Sequence, residues 1–172
     1  MKIKYIRNSD NAYKQFSYRK IMDFDFRKIS GKNVLITGGL GFLGSNLARR
    51  LVEIGSNVTI LSRVGKGKDN VKDLEHKLKF IEGSLANESD VSDAIKNKDY
   101  IFHFACQNDL KKSMQNPKED LMSDVLGILN LLEVCRNENP NVKIIFTSTP
   151  TVVGYTENPM RDENARENPL SV

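Results

Sequence analysis

Cysteine and histidine are scarce, with two of each in 172 residues. Cys106 and Cys135 are too few for a disulfide framework and lack metal-ligand spacing, so both read as reduced structural thiols beside apolar segments. His76 and His103 form no cluster with them, which argues against a metal centre. Long apolar runs are missing too. No stretch approaches the ~20 apolar residues that span a bilayer, and the amino terminus has no apolar core of secretory-signal length. A soluble, cytoplasmic protein without a membrane partner is expected. Strong charge of one sign is also absent, because 26 Lys and Arg face 22 Asp and Glu. The basic excess lies in residues 1–33, where nine basic side chains meet three acidic ones, and the remainder is slightly acidic. A nucleic-acid partner is not expected; only a basic arm would serve one.

What is present is an ordinary globular balance. Hydrophobic residues make up 39% and charged residues 28%, which excludes a mainly disordered or fibrous chain. At ~100–200 residues per domain, the length holds one domain and not comfortably two. Residues 1–31 are polar, basic and aromatic without sustained period, and read as an N-terminal extension to a domain over residues 32–172. Met22, which opens a short leader into the first strand, is an alternative start.

From Asn33 the pattern changes. Val34-Leu35-Ile36 is a short apolar run between a polar leader and a glycine cluster, as in a buried parallel strand. A helix is predicted through Phe42, Leu43, Leu47, Leu51 and Ile54, with Gly55 as its stop. Val58–Leu61 and Lys79–Ile81 read as the second and third strands, joined by a Lys- and Gly-rich connection. Asn87 or Ser89 would cap a short helix carrying Val91, Ala94 and Ile95. Tyr100–Phe104 is the fourth strand. A longer helix starts near Pro117 and carries Leu121, Val125, Ile128, Leu129 and Leu132. Val142–Phe146 is the fifth strand. Strands alternating with helices predict an α/β fold, a doubly wound parallel sheet of Rossmann type.

Directly after the first strand comes Thr37-Gly38-Gly39-Leu40-Gly41-Phe42-Leu43-Gly44. Glycines here permit a tight turn, close approach of backbone to a pyrophosphate, and close helix–strand packing. The helix that follows offers free N–H donors and a partial positive end. Placement between strand and helix in a βαβ unit makes this a dinucleotide-binding loop. A reader of the adenosine ribose is due about 20 residues on. That position is Leu61-Ser62-Arg63, which has no carboxylate; Arg63, with Lys66 and Lys68 behind it, would accommodate a 2′-phosphate. NADP is favoured as coenzyme, with NAD the alternative.

With these motifs the sequence resembles the extended short-chain dehydrogenase/reductase family, the NAD(P)-dependent epimerases and dehydratases of nucleotide sugars. Further landmarks are Gly83-Ser84-Leu85, His103-Phe104-Ala105-Cys106-Gln107, Asn116-Pro117, Gly127–Glu133 and Thr147–Gly154. The resemblance runs from about Lys32 to the last residue. It implies that Gly38, Gly41, Phe42, Leu43 and Gly44 carry the pyrophosphate, with Ser62 and Arg63 at the adenosine ribose. It also implies that Ser84 and Leu85 flank adenine and that Phe104, Ala105 and Cys106 border the dinucleotide. Thr149 matches the hydroxyl that bonds the reacting sugar oxygen. The implied chemistry is hydride transfer through a transient keto sugar, and the implied partners are a nucleotide sugar and a second copy of the chain, held through the helix near residues 118–136.

Departures from the family pattern are as informative. Ser84 stands for the common Asp, Asp124 for a helix Asn, and Val153 for the Tyr of Val-Tyr-Gly. The chain reads Pro169-Leu170-Ser171-Val172, one residue short of the family's Tyr-x-x-x-Lys, whose Tyr is the general base and whose Lys lowers its pKa. The Rossmann-type domain is therefore expected to be incomplete before the catalytic helix and the substrate domain, with the fifth strand an exposed edge. This chain alone is expected to be inactive; a non-catalytic NADP-binding or scaffold protein is the alternative.

Overall fold

The computed structural model describes residues 26–63, 65, 67–107, 109–149, 152–154 and 166–168. The chain divides into a unit of Phe26–Thr147 and a second made of Met1–Asp25 with Ser148–Val172. The basic stretch of residues 1–25 lies outside the described residues.

In the first unit, five strands form one parallel sheet: β1 (Asn33–Thr37), β2 (Asn57–Ser62), β3 (Lys79–Glu82), β4 (Tyr100–His103) and β5 (Lys143–Phe146). Their spatial order is β3-β2-β1-β4-β5. Val34 is in register with Val58 and Tyr100, and Thr37 with Leu61 and His103. The order reverses direction at β1, so a crevice opens beyond the carboxyl ends of β1 and β4, where ligands of such sheets bind.

The period of two in β1 feeds two separate cores. Val34 and Ile36 join Val58, Ile60, Ala48, Leu51, Val71 and Leu74 on one face. Leu35 joins Leu61, Ile101, Val91, Ala94, Ile95, Leu131 and Val134 on the other. Leu35, Ile36, Ile60 and Ile101 are wholly buried. Each such side chain contributes roughly 1.5–3 kcal/mol of burial. This two-sided covering is why the strands read as continuous apolar runs rather than as alternating ones.

Helix α1 (Phe42–Glu53) covers the first face and ends where Gly55 takes φ +84°. Helix α2 (Glu88–Ile95) lies on the second, and Asn87 caps it by accepting from the Ser89 N–H at 2.9 Å. The expected long helix is one continuous helical run in three parts: α3 (Pro117–Asp120), a π-helical turn over Leu121–Leu126, and α4 (Gly127–Glu138). Backbone angles stay helical through both junctions.

Besides the 3-10 turn Phe26–Ile29, two helical segments lacked a sequence signal. Residues Asp69–Lys77, expected as plain connection, form a 3-10 helix. Its three-residue repeat sets Val71 and Leu74 on one side, where both enter the core under α1. Asp73 clamps it further by accepting from the Arg49 guanidinium of α1. A short helix over Leu110–Gln115 is capped by Asp109, whose Oδ1 accepts from the Lys112 N–H at 3.1 Å.

β5 lies at the sheet edge, with Ile145 and Phe146 exposed. Among the described residues, no helix is long and apolar enough to cross a membrane. In the second unit the Val152 N–H donates to the Thr149 carbonyl at 3.2 Å and the Asn168 N–H to the Val152 carbonyl at 3.0 Å.

Candidate functional site

The glycine loop begins where β1 stops, and its shape follows from what its glycines lack. Gly38 has φ +70°, and a Cβ there would stand 2.7 Å from the Ala105 nitrogen and the Phe104 carbonyl carbon. Only glycine lets the loop press directly on the segment leaving β4. A Cβ at Gly44 would overlap the Gly38 carbonyl oxygen, so the first turn of α1 folds back onto the loop. The Gly41 N–H donates to that same carbonyl at 3.0 Å and closes the turn.

No side chain caps the amino end of α1. Ser45 and Asn46 point their donors backward, to the Phe42 carbonyl. The opening N–H groups of the helix are thus left to an anion, in a loop where a side chain would obstruct it. Phe42 and Leu43 are exposed, at 79% and 62%. With their side chains exposed, what they offer at the helix start is backbone N–H. A glycine-lined cradle at a bare helix amino terminus fits a pyrophosphate.

Thr37 ties the two loops of the crevice together. Its Oγ1 lies 2.9 Å from His103 Nδ1 and accepts from the Ala105 N–H at 3.3 Å. His103 is buried and stacks on Phe146, with ring centroids 5.5 Å apart. Burial pushes its imidazole below the ordinary range, and Asp124 opposes this by attraction. His103 is a packed strand residue. Phe104 and Ala105 follow it, half-buried, against Gly38. Both cysteines are free, but Cys106 is exposed, so of the two expected structural thiols only Cys135 is buried. Burial and then Asp124 raise the Cys106 thiol, while burial and then Glu138 push Cys135 up to about 11.

At the other end of the crevice, β2 delivers Ser62, half-buried, and Arg63, exposed. Arg63 makes no ion pair among the described residues. Lys68 is engaged elsewhere. Its ammonium meets Glu75 Oε1 at 2.8 Å and sits 4.1 Å over the Phe80 ring. Lys66 lies outside the described residues.

The turn after β3 is locked from below. The Ser84 N–H donates to Asp90 Oδ2 at 2.8 Å, and the Ser84 hydroxyl accepts from the Ala86 N–H at 3.2 Å. The Leu85 carbonyl accepts from the buried Asn130 amide at 2.9 Å, and the Leu85 side chain lies in the core beneath Gly127. Leu85 thus shapes this wall from underneath, through packing. Thr149 belongs to the second unit and is exposed.

Sequence reasoning passed over three supporting groups. Asn70 donates to the Leu40 carbonyl of the glycine loop at 2.9 Å, Asp90 fixes the Ser84 turn, and Asn130 holds Leu85. Asn70 and Asn130 reach 30 and 45 residues along the chain, which no local spacing reveals.

Comparison with known proteins agrees with this geometry. The profile of the GDP-mannose 4,6 dehydratase family matches residues 35–172. A CDP-paratose 2-epimerase of Salmonella typhi is 40% identical over 131 residues, covering 72% of this chain and 38% of its own. The solved epimerase Mth375 of Methanothermobacter thermautotrophicus superposes with a TM-score of 0.75 at 32% identity, covering 87% of this chain and 44% of its own. The enzyme WbmF of Bordetella bronchiseptica, solved in complex with NAD+, superposes with a TM-score of 0.61 at 30% identity, covering 69% of this chain and 36% of its own. The chain spans less than half the length of the curated relatives it matches. A parallel sheet in the order 3-2-1-4-5, its glycine loop at the reversal and a family match over most of the chain lead to one assignment: the chain belongs to the GDP-mannose 4,6 dehydratase family of extended short-chain dehydrogenases/reductases, of which it carries the amino-terminal portion.

Proposed function

We propose that this chain is the coenzyme-holding part of a nucleotide-sugar epimerase or dehydratase, with NADP preferred over NAD. The observation that carries this reading is the glycine cradle, where Gly38 and Gly44 leave space no other residue would and the bare end of α1 presents its N–H groups. Relatives named as nucleotide-sugar epimerases, and a neighbour solved with NAD+, support it. When bound, the nicotinamide would supply the hydride acceptor and donor. The chain's own contribution is to hold the pyrophosphate on backbone N–H groups and to set the Phe104–Cys106 segment beside it. Thr149 is proposed to present its hydroxyl to the reacting sugar oxygen, as its place in Thr147–Gly154 implies.

The choice of NADP rests on Arg63. It directly follows β2, where a carboxylate would accept the ribose hydroxyls, and its exposed guanidinium suits a bidentate contact with a 2′-phosphate. Since Lys68 is held by Glu75 and Phe80, Arg63 bears the preference. Turnover is assigned to a Tyr-x-x-x-Lys pair that these 172 residues do not contain, so they are proposed to bind coenzyme without catalysis. Leu121, Met122, Val125, Leu129 and Leu132 are about half exposed along the long helical run, and this apolar stripe is proposed to pair with a second copy. Titration of NADPH and NADH into the wild type and Arg63→Asp tests the coenzyme reading. Tighter NADPH binding that the substitution abolishes is expected; equal affinity for both coenzymes in the wild type would overturn it.

A further inference from the structure

The segment leaving β4 is held by one carboxylate. The Gln107 N–H donates to both oxygens of Asp124, at 3.0 Å each, and the Ser123 hydroxyl donates to Oδ1 at 2.8 Å. Asp124 sits within the π-helical turn Leu121–Leu126, a widening that often marks a functional position in a helix. Among the described residues no lysine or arginine pairs with it. One turn earlier stands a second carboxylate, Asp120, whose buried Oδ1 has no donor among the described residues. The field of Asp124 is felt at His103, where it opposes the drop that burial causes, and at Cys106, where it adds to the rise that burial causes.

Sheet order says which part of a dinucleotide would feel that field. A pyrophosphate on the Gly38–Gly44 loop lies at the reversal between β1 and β4. The adenosine half would belong with the first βαβ unit and the end of β2, so the nicotinamide half would pass toward the end of β4, where Phe104–Gln107 lies. A nicotinamide ring is cationic when oxidised and neutral when reduced. Resting on the coenzyme reading above, we propose that Asp124 is a positioning residue for Phe104–Gln107 whose negative charge also biases the bound coenzyme toward its oxidised form. Asparagine at this place would fix the same N–H without the charge. A site that disfavours the reduced form suits chemistry in which a hydride taken from a sugar is handed back.

Two substitutions in the 172-residue chain separate geometry from charge. Asp124→Asn keeps an acceptor for the Gln107 N–H and removes the charge, whereas Asp124→Ala removes both. Calorimetric titration with oxidised and reduced NADP and NAD measures the affinity ratio of the two redox forms. In Asp124→Asn the ratio is expected to move toward the reduced form by about threefold to tenfold, the scale of one partly screened unit charge. Amide exchange at Gln107 is expected to stay slow in Asp124→Asn and to quicken in Asp124→Ala. An unchanged ratio in Asp124→Asn, with both redox forms still bound, would overturn the charge effect. Equal Gln107 exchange in all three proteins would overturn the positioning role. A folded wild type that binds none of the four coenzymes would instead overturn the coenzyme reading, and this proposal with it.

Discussion

Replacing Gly38 by alanine tests whether the two loops of the crevice truly share one contact surface. Two costs arise, and the structure separates them. Alanine at φ +70° enters the left-handed region, which costs about 1–2 kcal/mol. Its Cβ would also meet the Ala105 nitrogen and Phe104 carbonyl carbon at 2.7 Å, and these are backbone atoms that cannot swing aside. Overpacking of this kind adds about 1–3 kcal/mol. Gly31 provides the control. It has φ +72°, but a Cβ there meets nothing within 4 Å, so Gly31→Ala carries the conformational cost alone. Gly38→Ala is therefore expected to lose about 2–5 kcal/mol and Gly31→Ala about 1–2 kcal/mol. At roughly 4 °C per kcal/mol for a unit of this size, Gly38→Ala should melt about 8–20 °C below the wild type. Urea unfolding followed by circular dichroism gives both values from midpoint shifts at constant slope. If Gly38→Ala fell within about 0.5 kcal/mol of Gly31→Ala, a margin typical of neutral surface changes, the close approach of the glycine loop to β4 would be refuted.

Two further outcomes follow from the packed unit. Burial lowers the His103 imidazole in the folded chain, so the unfolded chain takes up a proton first, near the ordinary pKa of about 6.5. The stability linked to this group is complete above that pH and is lost as pH falls toward the folded value, so unfolding free energy measured in urea should decline below about pH 6.5. His103→Gln should flatten that decline, and an identical slope in the variant would exclude His103 as its source. Leu129→Glu places a charge in the middle of the exposed helical stripe and should turn the proposed dimer into a monomer in sedimentation velocity, with an unchanged far-ultraviolet spectrum. A wild type that sediments as a monomer at high micromolar concentration would contradict the pairing surface.

The strands were legible because both faces of the sheet are covered. Val34-Leu35-Ile36 is an unbroken apolar run for that reason and Val58-Thr59-Ile60-Leu61 is interrupted only by a buried threonine, while the glycine string is read easily because its steric demands leave few alternatives. The Asn87 cap was equally local. What the sequence concealed are contacts across distance. Asp69–Lys77 looks like a polar loop, with seven polar or charged residues and only Val71 and Leu74 to anchor it, and its helical shape comes from packing on α1 and the grip of Arg49. Lys68 reads as a free cation of a phosphate-facing loop, and only the fold shows Glu75 and Phe80 around it. Leu85 sits in a motif that implies coenzyme contact, while its side chain is drawn into the core by its place under Gly127. The π-helical turn has no signature at all, since its residues continue the apolar spacing of the helix around it.

The division of β1 between two cores has a consequence for how this protein can change over generations. Val34 and Ile36 answer to one set of neighbours and Leu35 to another, with a backbone layer between them. Volume lost on one side cannot be recovered by a larger residue on the opposite side, so compensation must arise among neighbours of the same layer. Each half of the interior can thus accept change on its own, whereas the glycine loop at the end of the strand, where a Cβ at Gly38 or Gly44 would meet backbone, has no such room.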